Sequence, residues 1–592
     1  MPLLVLLVGC KADRNAHAPS RATGAAQRAE PEWFVDRAQE SGIDFVHFNG
    51  MSGEFYFPEN MAPGVGLFDY DNDGDLDVYL VQGRMLGPGK TPSQALVTPR
   101  NPLQLTGRLF RNDLKVQEDG TRTLRFTDVT EQSGIVARGY GVGVATGDFN
   151  NDGCIDLYLT NFGPNQMFRH NCDGTFTDVS KQSGTDDPGF SISASFVDYD
   201  RDGWLDLYVG NYLEYSVQTN KKCFRVSGER EYCPPSTYRA QRDRLYHNNR
   251  DGTFTDVTAK ALVGREYGPA LGVTVADFNN DGWPDIYVTN DNQENLLWMN
   301  QRDGTFTNMA LLSGAALTAD GKAEASMGVD AGDFDNDGDE DLFMTELTGE
   351  GSNLYVNDGT GVFKDQSARS GLGLRSLAYT GFGTAWFDFD NDGWLDILTV
   401  NGTIAAIEAL QRAKDPFPLH QRKQLFRNLR NGQFEEVTDR AGAAFQLSEV
   451  GRGAAFGDID NDGDVDVLIG NGAGRTRLLI NNVGSRKHWL GLRLLGEHAP
   501  RPSTGSGRAE LVEGRDMYGA RVAAFRANGP TLWRRARADG SYASANDPRV
   551  LVGLGDSTEA PRVRVVWPSG RVEEWTAVAI DRYTTLREGS GR

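Results

Sequence analysis

Residues 388–396 read DFDNDGWLD, and the same nine-residue phrase returns six more times: DYDNDGDLD from Asp69, DFNNDGCID from Asp148, DYDRDGWLD from Asp198, DFNNDGWPD from Asp277, DFDNDGDED from Asp333 and DIDNDGDVD from Asp458. Successive copies begin 79, 50, 79, 56, 55 and 70 residues apart. Self-similarity at such a period marks a repeat architecture, for which chain length says little about domain number. Each copy follows a Gly/Ala-rich run such as YGVGVATGDF (Tyr140 to Phe149) and precedes a short β-prone run such as LYLTN, IYVTN or VLIGN. A second strand-like run comes next (MFRHN, RLYHN, QLFRN), then a turn (CDG, RDG, RNG) and a third run such as FTDVS from Phe176. Short apolar runs punctuated by Asp-Gly and Asn-Gly turns are strands in hairpins. The expected fold is all-β, one small antiparallel sheet per repeat, with seven sheets set radially as a seven-bladed β-propeller over residues 31–484.

The third run supplies a test of closure. It occurs at Phe34, Phe126, Phe176, Phe254, Phe306, Phe363 and Phe434, so its first copy precedes the first Asp phrase, whereas the last phrase has none after RLLINN (Arg477 to Asn482). The repeat is therefore permuted relative to the blade. The N-terminal strand is expected to complete the seventh sheet and leave no open edge. Three insertions, at about 83–107, 212–243 and 402–424, interrupt the period and are surface loops in which specificity can reside.

In DxDxDGxxD, positions one, three, five and nine offer side-chain oxygens, position seven offers a carbonyl, and the Gly at six permits the turn that aims them at one point. Position one is Asp69, Asp148, Asp198, Asp277, Asp333, Asp388 or Asp458; position three is Asp71, Asn150, Asp200, Asn279, Asp335, Asp390 or Asp460. Position five is Asp73, Asp152, Asp202, Asp281, Asp337, Asp392 or Asp462; position nine is Asp77, Asp156, Asp206, Asp285, Asp341, Asp396 or Asp466. Hard oxygen donors in a flexible loop suit Ca²⁺, whereas Mg²⁺ keeps more water and a tighter octahedron, so up to seven calcium ions are expected. An EF-hand would need Glu at position twelve and flanking helices; position twelve here is Leu80, Leu159, Val209, Val288, Met344, Thr399 or Ile469. Copies two and four, with Asn150 and Asn279, carry one charge fewer and are expected to bind the ion less tightly than copies one, five and seven. Segments such as GVGVATGDFNNDGCIDLYLTN resemble the FG-GAP or VCBS repeats of integrin-α-like propellers, and the resemblance implies calcium loops and a binding or cell-adhesion role.

From about Ser485 the phrase stops. Residues 485–592 carry 18 Lys+Arg against 12 Asp+Glu, and runs such as HWLGLRLLG, YGARVAAFRA, RVLVGLG and RVRVVWPSGRVEEW read as strands of a small β-sandwich. YGARV (Tyr518 to Val522), DGSYASANDPRVLVGLG (Asp539 to Gly555) and VVWPSG (Val565 to Gly570) resemble the ASPIC/UnbV domain, which in cartilage acidic proteins and exported bacterial proteins follows such a propeller. Its Arg-rich face is open to three readings: docking on the acidic propeller, holding an anionic glycan, or simple solvation.

The whole chain has 82 Asp+Glu against 60 Lys+Arg, a net charge of −22, with 10% aromatic residues. That aromatic content excludes a disordered acidic chain, and the charge excludes a nucleic-acid binder, which needs a basic footprint. Of these acidic residues 26 sit at the repeated ligand positions, more than the whole net charge, and seven Ca²⁺ would leave an ordinary net charge.

Residues Pro2 to Gly9 (PLLVLLVG) are too short to span a bilayer and end in Leu7-Val8-Gly9-Cys10, which resembles a bacterial lipobox. The resemblance implies a signal segment over 1–10, lipidation of Cys10, a flexible tether over 11–30 and export as an outer-membrane or cell-surface lipoprotein, its attachment to membrane through the lipid alone. Cys154, Cys172, Cys223 and Cys233 remain, an even number for an oxidising compartment; 154–172 with 223–233 is the simplest of three pairings, with free thiols as the alternative. No HExxH, GxSxG, Walker or catalytic-Cys context occurs. His47 and Glu59 come just before the first blade and either line one mouth of the ring or are simply hydrogen-bonded structural residues, which a lone His or Glu usually is. Gln82, Asn161, Asn211, Asn290, Glu346, Asn401 and Asn471, one per repeat, form either a polar ring facing the channel or a set of turn residues. The leading expectation is an exported calcium-dependent module for a protein or polysaccharide ligand. The alternative is an enzyme with its site in the channel or at the sandwich interface, acting in carbohydrate or natural-product chemistry.

Overall fold

The computed structural model describes residues 31–101, 105–226, 228–496 and 514–592; Cys10 and the tether expected over 11–30 lie outside them. Seven four-stranded antiparallel sheets follow one another along the chain. Blade 2 is representative: Tyr140–Gly147 runs down the channel wall, the Asp loop turns it into Asp156–Phe162, and Gln166–His170 and Phe176–Asp178 complete the sheet outward. Each inner strand packs on that of the next blade, and the strand Val65–Phe68 of blade 1 meets Gly451–Gly457 of blade 7. The ring closes as the permuted repeat requires. Phe34 lies opposite Asn481, so Phe34–Asp36 is the outer strand of blade 7.

The inner and second strands are buried on both faces, which is why they read as continuous apolar runs rather than alternating ones. Aromatic residues from adjacent blades fill the wedges, as where Phe334 stacks on Trp386 with centroids 5.3 Å apart. After several outer strands the chain makes one helical turn that ends on a left-handed Gly, such as Gly134 or Gly184.

The C-terminal part forms two sheets. One places Val550–Gly555 and Tyr583–Arg587 on either side of His488–Leu495; the other orders Leu532–Arg535, Arg521–Phe525, Arg562–Val566 and Val572–Trp575. Leu532–Arg535 and Tyr583–Arg587 are strands that the sequence pattern did not reveal, the former because LWRR lacks alternation. Their buried faces share one core around Leu492, Val522, Val552, Val563 and Trp567.

This unit does not sit apart. Its segment 539–547 enters the propeller channel and bonds to the inner strand of every blade. Leu67 N–H donates to Ala545 O (2.9 Å), Val144 N–H to Ala543 O (3.0 Å), and Ala543 N–H to Ser193 Oγ (3.0 Å). Val275 N–H donates to Asp539, Val329 N–H to Ser541 O (3.1 Å), Thr384 N–H to Ser541 Oγ (3.2 Å), and Phe456 N–H to Asn546 Oδ1 (3.0 Å). The wall leaves room only for small residues: a Cβ on Gly64 would lie 1.8 Å from Ala543 O. Tyr542, fully buried, ends the plug with its ring 4.9 Å from Phe382 and its hydroxyl donating to Met61 O. The channel is thus occupied by the chain itself, through segment 539–547.

Candidate metal loops and the covered face

The loops share one backbone scaffold, from which loop 5 lacks only the bond from Phe334 N–H to Asp341. In loop 6, Asp388 accepts from Asp392 N–H (2.9 Å) and Gly393 N–H (2.7 Å), and Asp396 accepts from Phe389 N–H (3.3 Å) and Asn428 N–H (2.7 Å). The same four bonds recur in loop 7 around Asp458 and Asp466. Position six is left-handed Gly throughout, for example Gly393 at φ 91° and Gly463 at φ 92°. Position four is left-handed as well: Asn72, Asn151, Arg201, Asn280, Asn336, Asn391 and Asn461. Asn tolerates this region better than other non-glycine residues.

The backbone bonds leave carboxylate oxygens to spare. Asp335 Oδ1 and Asp341 Oδ2 in loop 5, Asp390 Oδ1 in loop 6, and Asp460 Oδ1 and Asp464 Oδ1 in loop 7 are buried with no hydrogen-bond donor. Donor oxygens of Asp69, Asp71 and Asp77 lie within 4.8 Å of one another, as do those of Asp333, Asp335 and Asp341, and of Asp198, Asp200 and Asp202. Burial pushes Asp333, Asp388 and Asp458 up to about 8, and Asp77, Asp341 and Asp466 well above the ordinary carboxylate range. Burial of this kind favours the protonated carboxyl, and a cation bound among these oxygens would favour the ionised one. In loops 2 and 4 the amides of Asn150 and Asn279 instead donate to Asp152 and Asp281 (3.0 Å each).

Position four does what sequence reasoning missed. Asn72 Nδ2 donates to Gly153 O (3.0 Å), Asn151 to Gly203 O (2.9 Å), Asn336 to Gly393 O (3.1 Å), Asn391 to Gly463 O (2.8 Å) and Asn461 to Gly74 O (3.3 Å). Loop is thus tied to the following loop around the ring. A second set runs backward: Asn112, Asn248, Asn300, Asn357, Asn428 and Asn481, each ending a third strand, donate to Ile459 O, Phe149 O, Tyr199 O, Phe278 O, Phe334 O and Phe389 O of the preceding blade. The exceptions are informative. His170 replaces the backward Asn in blade 2 and packs on Phe176. Arg201 replaces the forward Asn in loop 3; it lies over Trp283 of loop 4 and donates to Pro568 O of the C-terminal unit (2.7 Å).

The loop face is covered by that unit's arginines. Arg549 bonds Asp458 O (2.7 Å) and Asn461 Oδ1 (2.8 Å), Arg534 bonds Gly393 O (3.2 Å), and Arg521 bonds Asn280 Oδ1 (2.6 Å). Arg493 and Arg515 pair with Asp69 (3.7 Å) and Asp198 (3.4 Å). Of the three readings of the Arg-rich face, docking on the propeller is the one that holds.

Two alternatives that the sequence leaves open are decided by the structure. Asn161, Asn290, Asn401 and Asn471 do not face the channel; they are buried and donate to Pro164 O, Glu294 O, Arg422 O and Arg475 O, closing their own turns. Gln82, Asn211 and Glu346 are buried as well, with partners more distant in the chain: Gln82 accepts from Phe48 N–H, Asn211 donates to Arg242 O and Glu346 accepts from Ser326 Oγ. His47 and Glu59 do not line an open mouth either. Glu59 is fully buried, bonded by Tyr232 OH (3.1 Å), and burial pushes it up to about 8; His47 accepts from Ala473 N–H, and burial pushes it down to about 3. Cys154 is bonded to Cys172 and Cys223 to Cys233, the simplest pairing.

A closed ring of sheets joined by DxDxDG loops defines the FG-GAP class of propeller. The FG-GAP-like repeat model matches residues 148–209, 236–288, 277–344, 333–399 and 420–469, and the ASPIC and UnbV model matches residues 512–592. The chain belongs to the family that joins FG-GAP-like repeats to an ASPIC and UnbV domain. It is 26% identical to cartilage acidic protein 1 of Mus musculus over 329 residues, 54% of this chain and 44% of the relative. The Homo sapiens protein matches at the same identity over 54% and 43%. The chain therefore spans less than half the length of these curated relatives. Among solved structures, an Agrocybe aegerita lectin that recognises non-reducing terminal N-acetylglucosamine is similar at a TM-score of 0.33 and 15% identity, covering 56% of this chain and 76% of the lectin. Among the described residues, no helix is long and apolar enough to cross a membrane.

Proposed function

We propose that the protein is an exported calcium-loaded binding module that presents the propeller face opposite its Asp loops to a protein or polysaccharide ligand. The observation that carries this reading is the asymmetry of the two faces. The Asp loops join first and second strands on one face, which the C-terminal unit covers, and the channel between is filled. Second-to-third-strand connections emerge on the other face, and all three insertions are of this kind. Specificity in a rigid scaffold resides in such variable loops.

Calcium belongs to the covered face. Positions one, three, five and nine of each loop would hold it, and its charge would let the crowded carboxylates ionise, fixing the loops on which the arginines rest. The two disulfides fit an oxidising compartment. A binding screen of secreted proteins and glycans against the full chain, with calcium and with chelator, tests the reading; binding by neither class, in calcium, contradicts it.

A further inference from the structure

On the insertion face, blades 2, 3 and 4 together enclose a groove of about 780 Å³, within the range of small-ligand sites. Phe162 comes from the end of a blade 2 strand, Asp187 to Phe190 from the approach to blade 3, Glu214 to Thr219 and Gln241 to Arg244 from either end of the blade 3 insertion, and Tyr267 from the approach to blade 4. The groove is thus made wherever the ring's period is broken by that insertion.

Its wall is fixed and aromatic. Phe162 meets Phe190 edge to face with centroids 5.1 Å apart and packs on Tyr215 at 5.6 Å. Tyr267, at the opposite rim, is 40% exposed, and the Arg242 guanidinium lies 5.2 Å from its ring centroid. The polar groups divide into spent and free. Asp187 is spent: it accepts from Gly189 N–H and Asn211 Nδ2 and pairs with Arg244. Gln241 Oε1 accepts from Phe190 N–H, which fixes the amide, and its N–H₂ has no acceptor among the described residues. The exposed Glu214 carboxylate and Arg242 guanidinium have no ion-pair partner among the described residues, although both line one groove.

A carboxylate that only accepts, an amide and a guanidinium that only donate, and an exposed aromatic face are complementary to a ring that has both an apolar C–H face and vicinal hydroxyls. The groove's own acids, Asp187 and Glu214, set against its two arginines, give no net positive field for a phosphate or a polyanion. We infer that this groove is a saccharide site for an uncharged oligosaccharide, one sugar ring stacked on Tyr267 with its hydroxyls shared between Glu214, Gln241 and Arg242. The inference rests on the proposed role of the insertion face and assigns that role a place and a ligand class.

The test is an array of neutral and acidic oligosaccharides probed with the full chain in calcium, followed by calorimetry on the best neutral binder with Tyr267→Ala and Glu214→Gln. Each substitution is expected to weaken binding by about tenfold or more, with the melting midpoint unmoved by more than about 2 °C because both side chains are exposed. Neutral glycan binding that both variants retain in full overturns the groove and leaves the face as a binding surface elsewhere. Binding of acidic glycans alone, or of a protein ligand with no glycan, also overturns the assignment while sparing the broader reading. Binding of nothing in either class overturns both.

Discussion

The Asn391 side-chain amide donates to the carbonyl of Gly463 at 2.8 Å, so that the Asp loop of blade 6 holds the Asp loop of blade 7. Asn481, from blade 7, returns the bond to Phe389 O at 2.8 Å. Two short bonds in opposite directions across one interface fix both the spacing and the tilt of neighbouring blades. At least one such bond crosses every interface, the forward one being absent at Arg201 and the backward one at His170, so the loop face is a hydrogen-bonded belt in which a change in one loop is felt by the next.

The first prediction concerns this belt. Asn428 donates to Phe334 O and Leu395 O and accepts from Arg430 N–H, all in a buried setting. Asn428→Ala leaves two carbonyls and an N–H without partners and should cost at least about 2 kcal/mol in chemical denaturation. A cost below about 0.5 kcal/mol, the range of an ordinary surface change, would show the belt to be incidental.

The second concerns the channel plug. Because segment 539–547 bonds to all seven inner strands, the propeller and C-terminal unit should melt in one calorimetric transition. Tyr542→Ala removes a fully buried ring seated on Phe382 and should lower stability by about 3–5 kcal/mol. Two well-separated transitions in the unsubstituted protein would contradict the plug's role in joining the units.

A third follows from Glu59. The folded chain holds its proton up to about pH 8, against an ordinary value of 4.5, because the carboxyl is buried. Between those values the native state binds more protons than the unfolded one, so the stability this group confers is complete below about 4.5 and is lost as pH rises through 8. The slope is about 1.4 kcal/mol per pH unit within that window. Glu59→Gln should therefore gain on the unsubstituted protein as pH rises from about 5 to 8, read as the difference in unfolding free energy. A pH-independent difference would place an ionised Glu59 in the folded state.

How these features stood in the sequence depends on the range of the contacts involved. The blade was legible because its strands and turns are local, and the permuted closure was legible because FVD at Phe34 repeats FTD at Phe176 and Phe254. The Asn at position four was equally visible, but its partner lies one repeat away, so within a single repeat it reads only as a turn former. Arg201, the one departure, marks where the C-terminal unit adds a contact of its own, at Pro568. Repetition established that Gln82 and Asn161 are equivalent, yet equivalence carries no direction: Asn161 closes a turn at Pro164 O, whereas Gln82 reaches back to Val46 O and Phe48 N–H. The plug was the least legible. ADGSYASAND has no periodicity, and its small residues have meaning only against a channel whose bore they fit.

As proposed, the seven loops would be calcium sites on which the folded propeller and its covering arginines depend. Titrating calcium into chelator-treated protein by calorimetry, with melting followed in parallel, tests it directly. The account predicts binding that approaches seven ions per chain, one for each loop, with the loops of Asn150 and Asn279 filling last and a melting midpoint that climbs with calcium concentration. A chain that binds no calcium, or whose melting is the same in calcium and in chelator, would contradict it.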